Sequence, residues 1–341
     1  MVKRFFRTFL ITLCLTFLMV VISHFHIKTG LISPQLKTQD ILEKIQPKLE
    51  RKQNNFYLKK QFIQNVSAGS EYDQAVSYAV VDYDSGQILL SKNLSGRLPM
   101  ASLTKVMTAV VALDLAKPDE QFTVSDKAAL QIPTKVMLKA GEKFSLENLL
   151  QQMLISSAND SAETLKEGID AKFNQAIFIK AMNLKAQIIG LKDTHFTNAE
   201  GFDSRNHYSS VEDLSVLAVY ALKQYPLIAQ TVSRQFADLT EGGADNRFYL
   251  NNWNGLLGVY PGAFGVKIGN TQKAGNCTIV ASERGDKKIV AVILGAPGVL
   301  ERDLWASELL DLGFSKLANL PAVGVTEDQL KAKYASWKYY Q

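Results

Sequence analysis

The sequence predicts an α+β protein in which one antiparallel sheet is assembled from distant segments, with helices inserted between them. Three observations carry this. Alternating apolar residues (Val76, Tyr78, Val80) lead into a turn at Asp84-Ser85-Gly86 and a second apolar run, Gln87-Ile88-Leu89-Leu90, which is the pattern of a hairpin. Helical periodicity then dominates the middle of the chain. Strand character returns at 263–269, 277–283 and 288–295, with Arg284-Gly285-Asp286 as a turn between the last two. A helical insertion beside such a sheet creates a cleft.

Taken in order, the chain opens with Lys3, Arg4 and Arg7 ahead of an apolar run at 9–22. Ile22-Ser23-His24-Phe25-His26 offers no small-residue cleavage site, so residues 1–27 read as an uncleaved signal anchor rather than a signal peptide. The basic flank then places the body on the extracytoplasmic side of a membrane. Residues 28–70 read as a basic stalk. Leu36, Ile41, Leu42, Ile45 and Leu49 mark an amphipathic helix that Pro47 is expected to interrupt. The main domain is expected at 71–318.

Within it, residues 103–116 are apolar on almost every face (Val106, Ala109, Val110, Leu113), the mark of a buried helix. Further helices are expected at 145–155, 160–169, 173–189 and 211–223. The last starts at Ser210-Val211-Glu212-Asp213, a capping-box spacing. A helix at 301–312 is expected to close on Gly313 as its C-terminal cap. Residues 319–341 read as a short tail with no separate β-domain.

Charge and composition narrow the function classes. Of 341 residues, 47% are hydrophobic and 21% charged, enough for a large core. The net charge of +5 is made by the first 60 residues; residues 61–341 are at −3, which argues against a nucleic-acid partner. Cys14 and Cys277 do not form a disulfide framework. Neither His195 nor His207 has metal-ligand spacing, and no cofactor or metal is expected.

Three short motifs carry chemistry. In Ser102-Leu103-Thr104-Lys105, residues three apart share a helical face, so the Lys105 amine reaches the Ser102 hydroxyl. A desolvated lysine can serve as the base that such a nucleophile requires. In Ser157-Ala158-Asn159, a second hydroxyl can relay a proton to a leaving amine, and the amide can hold both lysine and substrate. In Lys267-Ile268-Gly269, a cation on a strand can hold a carboxylate while the glycine admits close approach. Each alone is common by chance; their order on helix, loop and strand is not.

That ordered set is the signature of penicillin-binding proteins and class A β-lactamases. Over about residues 75–315 the surroundings resemble the D-alanyl-D-alanine carboxypeptidase family: Pro99-Met100-Ala101-Ser102-Leu103-Thr104-Lys105, Ser156-Ser157-Ala158-Asn159-Asp160 and Gly265-Val266-Lys267 all match it. The resemblance implies a DD-peptidase/β-lactamase-like fold, with a five-stranded antiparallel sheet and a mostly helical subdomain. It implies a peptidoglycan stem peptide ending in D-Ala-D-Ala as substrate and β-lactams as covalent inhibitors. It assigns Ser102 as nucleophile, Lys105 as base, Ser157 and Asn159 as relay and support, and the backbone N–H groups of Ser102 and Asn270 as oxyanion hole. Lys267, Gly269, Thr271 and Arg302 would then bind the substrate end.

One position departs from the family pattern. The usual K-T-G hydroxyl is replaced by Ile268. A catalytically weak binding module is therefore one alternative. A class A-like β-lactamase is another, but residues 159–267 hold no E-x-x-L-N motif: Glu163, Glu167, Glu200, Glu212 and Glu241 all lack it.

Overall fold

A computed structural model describes residues 34–60, 70–240 and 247–337. The expected signal anchor at 1–27 lies outside them. The chain divides into two units, residues 1–44 and 45–341, with the boundary inside helix α1 (Pro34–Glu50). No described helix is long and apolar enough to cross a membrane.

Pro47 does not interrupt α1. The helix ends three residues later, so only its last turn lacks the proline's backbone bond. The stretch expected to be a stalk is only partly one. Ile45 and Leu49 are fully buried, and the Leu49 carbonyl accepts from the Lys185 ammonium. Asn54 Nδ2 donates to the Ile189 carbonyl (2.8 Å), and the Tyr220 hydroxyl to the Lys52 carbonyl (2.7 Å). Residues 45–60 are thus strapped to the body by buried bonds.

The sheet begins with β1 (Ser77–Asp82) and β2 (Ile88–Lys92), joined through Gly86 at φ +74°. Helix α2 (Lys105–Leu115) follows a 3₁₀ turn, Ala101–Thr104. A short pair, β3 (Gln121–Thr123) and β4 (Lys143–Ser145), brackets α3 (Asp126–Ala129). Then come α4 (Leu146–Ile155), α5 (Asn159–Lys172), α6 (Phe178–Ile188), α7 (Val211–Gln224) and α8 (Pro226–Val232). A second pair, β5 (Phe236–Thr240) and β6 (Arg247–Asn251), precedes the carboxyl-terminal strands β7 (Ala263–Thr271), β8 (Gly275–Arg284) and β9 (Lys287–Ala296). Helices α9 (Val299–Ala318) and α10 (Glu327–Ala335) close the described chain.

The five-stranded sheet has the order β2-β1-β9-β8-β7. Both ends of the domain meet in it, as the strand patterns predict, and every pairing is antiparallel. Side chains alternate across the sheet. Tyr78, Val80, Val280, Ile289, Ala291 and Ile293 pack with Trp305, Leu309 and Phe314 of α9. The opposite face carries Ala79, Val81, Val290 and Val292, equally buried, toward the helical side of the molecule. Strand β7 is an edge, and the site forms there.

Two helix boundaries differ from expectation. Helix α6 starts at Phe178 rather than 173, because the Asp170 carboxylate accepts from the Ile177 and Phe178 N–H groups and sets the start (both 2.8 Å). Gly313 is no cap: α9 continues to Ala318 and ends on Asn319 at φ +53°. The glycine is needed for packing instead. A Cβ there would stand 2.7 Å from Val80 Cγ1 and 2.9 Å from Ile289 Cδ1. The capping serine at 210 does accept from the Asp213 N–H, as its spacing implies.

If residues 45–60 belong to the folded body, Leu49→Ala should lower unfolding free energy by about 2–5 kcal/mol in chemical denaturation. An unchanged midpoint would mean that this stretch is a free stalk.

Candidate active site

Ser102 sits on the tight turn that leads into α2. The residue before it, Ala101, is held at φ +50°, a conformation that costs a non-glycine residue of order 1 kcal/mol. A relay of hydrogen bonds fixes it. The Thr197 N–H donates to His207 Nδ1 (3.0 Å), so Nε2 carries the ring proton and donates to Thr104 Oγ1 (2.7 Å). The Thr104 hydroxyl in turn donates to the Ala101 carbonyl (2.8 Å). Burial pushes the His207 pKa down to about 4, which keeps the ring neutral and the relay one-directional.

Two glycines let other backbone close on this turn. A Cβ on Gly201 (φ +99°) would meet the Ala101 carbonyl oxygen at 2.0 Å, and one on Gly269 would meet Ser102 N at 2.8 Å. Strand β7 and the 199–201 loop therefore pinch the nucleophile between them.

Lys105 is fully buried beneath Ser102. Its amine bonds Ser102 Oγ (2.8 Å), Asn159 Oδ1 (2.8 Å) and the Glu200 carbonyl (2.6 Å). Desolvation brings its pKa down to about 7. The supports are built by local structure. Asn159 opens α5, and its Nδ2 and backbone N–H hold the 132–134 loop through the carbonyls of Ile132 (2.9 Å) and Thr134 (2.8 Å). Thr108, one turn into α2, donates to the Ala199 carbonyl (2.7 Å), so α2 grips the loop at two adjacent residues.

Lys267 is buried on β7, with its ammonium on the Ile268 carbonyl (2.9 Å). Its pKa is held well below the ordinary lysine value by desolvation, then by the charges of Lys105 and Arg302. Three cations thus converge beneath one edge strand. Ser157 is buried at φ +63° in the loop between α4 and α5. Among the described residues its hydroxyl bonds neither lysine.

The remaining expected residues are placed less directly. The Thr271 hydroxyl donates to Asp203 Oδ1 (2.7 Å) and accepts from the Ala274 N–H (3.0 Å). The Asn270 side chain donates to Asn276 Oδ1 (2.8 Å). Arg302 does not open into solvent: it is 2% exposed and forks onto the Asp303 carboxylate (2.7 and 2.8 Å), with the Trp253 carbonyl as a third partner. Ile268 stands opposite Thr278 in register, and the buried Thr278 hydroxyl has no hydrogen-bond partner among the described residues. A cleft of about 410 Å³ is lined by Ser102, Asn159, Glu200, Gly201, Asn270 and Thr271, among others.

Sequence reasoning missed the Thr104–His207 relay and the Glu200 carbonyl. His207 was legible only as a histidine without ligand spacing, and a carbonyl acceptor leaves no residue-type signal at all.

Comparison with known proteins places this geometry. A family model described as D-alanyl-D-alanine carboxypeptidase matches residues 64–298. The D-alanyl-D-alanine carboxypeptidase DacF of Bacillus subtilis is 32% identical, over 78% of this chain and 68% of its own length. DacD of Escherichia coli K12 is 33% identical, over 70% of this chain and 63% of its own. The Streptomyces K15 DD-transpeptidase structure superposes with a TM-score of 0.67 at 27% identity, over 73% of this chain and all of its own.

The buried neutral His207 carries a pH signature. Its folded pKa lies below the unfolded value, so its contribution is fully present above about 6.5 and is lost as pH falls toward about 4. In that window wild-type stability should lose up to about 1.4 kcal/mol per pH unit more than His207→Gln does. Parallel stability-versus-pH curves for the two proteins would contradict the assignment.

Proposed function

The chain belongs to the D-alanyl-D-alanine carboxypeptidase family, and from that premise we propose how its residues remove the terminal D-alanine of a peptidoglycan stem peptide. The observation that carries the mechanism is the set of three partners around Lys105 Nζ. A neutral amine has two N–H donors and one lone pair. Asn159 Oδ1 and the Glu200 carbonyl can only accept, so they take the two donors and leave the lone pair for the Ser102 proton. A pKa near 7 makes that neutral form accessible at working pH.

Ser102 Oγ then attacks the carbonyl carbon of the penultimate D-alanine, and its proton passes to Lys105. The oxyanion is received by the N–H groups of Ser102 and Asn270, which the Gly269 contact brings side by side. Ser157 carries the proton from Lys105 to the leaving amine of the terminal D-alanine, as a hydroxyl can, being both donor and acceptor. Water hydrolyses the ester at Ser102. Lys267 is the cation for the substrate carboxylate. Arg302, paired with Asp303, acts on that carboxylate through its field and not as a free fork. Thr271 orders the end of β7 through Asp203. β-Lactams acylate the same serine.

A peptidoglycan substrate places the reaction outside the cytoplasm. The proposed organisation is a membrane tether at 1–27 and a catalytic domain at 71–318, onto which residues 45–60 are packed.

The full-length chain should be labelled by penicillin at Ser102 and should release D-alanine from a D-Ala-D-Ala peptide; Ser102→Ala should do neither. Acylation without D-alanine release would favour a binding module, rapid penicillin turnover would favour a lactamase, and absence of acylation would overturn the reading. The acylation rate should rise with pH through about 7, as Lys105 loses its proton. Ile268→Thr supplies a hydroxyl at the cleft edge and should raise kcat/KM for the peptide about tenfold, the equivalent of one buried hydrogen bond.

A further inference from the structure

Two carboxyls stand behind the proposed base. Glu163 lies one helical turn along α5 from Asn159, on the same face. Glu200 is the residue whose carbonyl accepts from Lys105. Two of the three partners of Lys105 Nζ therefore come from segments whose side chains meet behind it. Glu163 and Glu200 are each 3% exposed, and their carboxyls lie within hydrogen-bonding reach of one another. Glu200 Oε1 is buried and receives no N–H or O–H from the described residues.

Two ionised carboxylates have no hydrogen to share, so this contact requires a proton between them. The surroundings decide which partner carries it. Lys127 from α3 and Lys166 from α5 both pair with Glu163, and Glu167 shares Lys127. Against the upward push of burial, the hydrogen bonds from Glu200 and Lys127 hold the Glu163 pKa low. Burial, and then Glu163 itself, push Glu200 up to about 8. Lys105 and, beyond it, Asp160 complete the charged groups on this side. The proton belongs to Glu200.

Resting on the reading of Lys105 as base, we propose that Glu200 is a positioning residue: its carboxyl shares a proton with Glu163 and so presents a neutral acid, not a carboxylate, beside the amine. An ionised Glu200 would stabilise the ammonium of Lys105 and occupy the lone pair that Ser102 needs. Glu163 and its two lysines act as the lock that keeps the acid protonated. During acylation only the Ser102 proton moves, to Lys105; the proton of the pair stays in place.

Two variants of the full-length chain test this with opposite expected signs. Glu200→Gln keeps the donor to Glu163 and cannot ionise, so the acid limb of the penicillin acylation rate should stay at its wild-type pH or move below it. Glu163→Gln replaces the charged acceptor that keeps Glu200 protonated with an amide that can donate to an ionised Glu200, so the limb should move up by about one pH unit. A purely structural role would lower both rates without separating the limbs, and a Glu163→Gln limb that coincides with wild type would overturn the proposal. Infrared spectroscopy gives a readout independent of activity. Wild type should show a carboxylic-acid C=O band at pH 7 that titrates away near pH 8 and is missing from Glu200→Gln. No such band in wild type would sink the shared proton, even if Ser102 proves not to be acylated at all.

Discussion

A dry amine with every partner fixed is the constraint from which the rest of the site follows. Burying Lys105 completely is costly unless each of its hydrogen-bonding positions is met, and three partners at 2.6–2.8 Å meet them. Each partner comes from a different segment: the nucleophile turn, the start of α5 and the 199–201 loop. Asn159 is pinned by its bonds to the 132–134 loop, and the Glu200 carbonyl by the neighbouring grip of Thr108 on Ala199. The helical part of the molecule is in this sense a frame for one nitrogen atom. The strain at Ala101 and the relay from His207 belong to the same design, since both aim Ser102 at that nitrogen.

Much of this was legible in the residues. Period-2 apolar runs located all five strands of the sheet because their side chains face hydrophobic layers on both sides or one, and the near-uniform apolarity of 103–116 marked the helix that passes through the middle. The three motifs were expected on helix, loop and strand; the first lies on the 3₁₀ turn that leads into α2, and the second ends on Asn159, which opens α5. Legibility failed where the deciding contact is long-range. Gly313 reads as a cap from its neighbours in sequence, yet it is excluded from that role by Val80 and Ile289, more than twenty residues upstream in each case. Pro47 reads as a break, but the helix runs three residues past it and the missing N–H falls in its last turn. Arg302 reads as an open cation; only the fold reveals that the adjacent Asp303 turns back to claim it.

Ile268 shows how a local departure is absorbed. The position opposite it in register, Thr278, keeps a buried hydroxyl without a partner. Side chains directly opposite on an antiparallel pair are the unit of sheet stabilisation, and here one half of a polar pair has become apolar. The basic side chains of Lys267 and Arg302 remain buried beside the same strand.

The edge position of β7 has a consequence for self-association. An outer strand with free backbone donors and acceptors is a template on which another chain can pair, and proteins blunt such edges in several ways. Here the nucleophile turn leans on Gly269 and the 199–201 loop closes on the same turn, so the exposed stretch opens only into a narrow trough. The walls that align the serine therefore also cover part of the edge that β7 would otherwise offer to another strand.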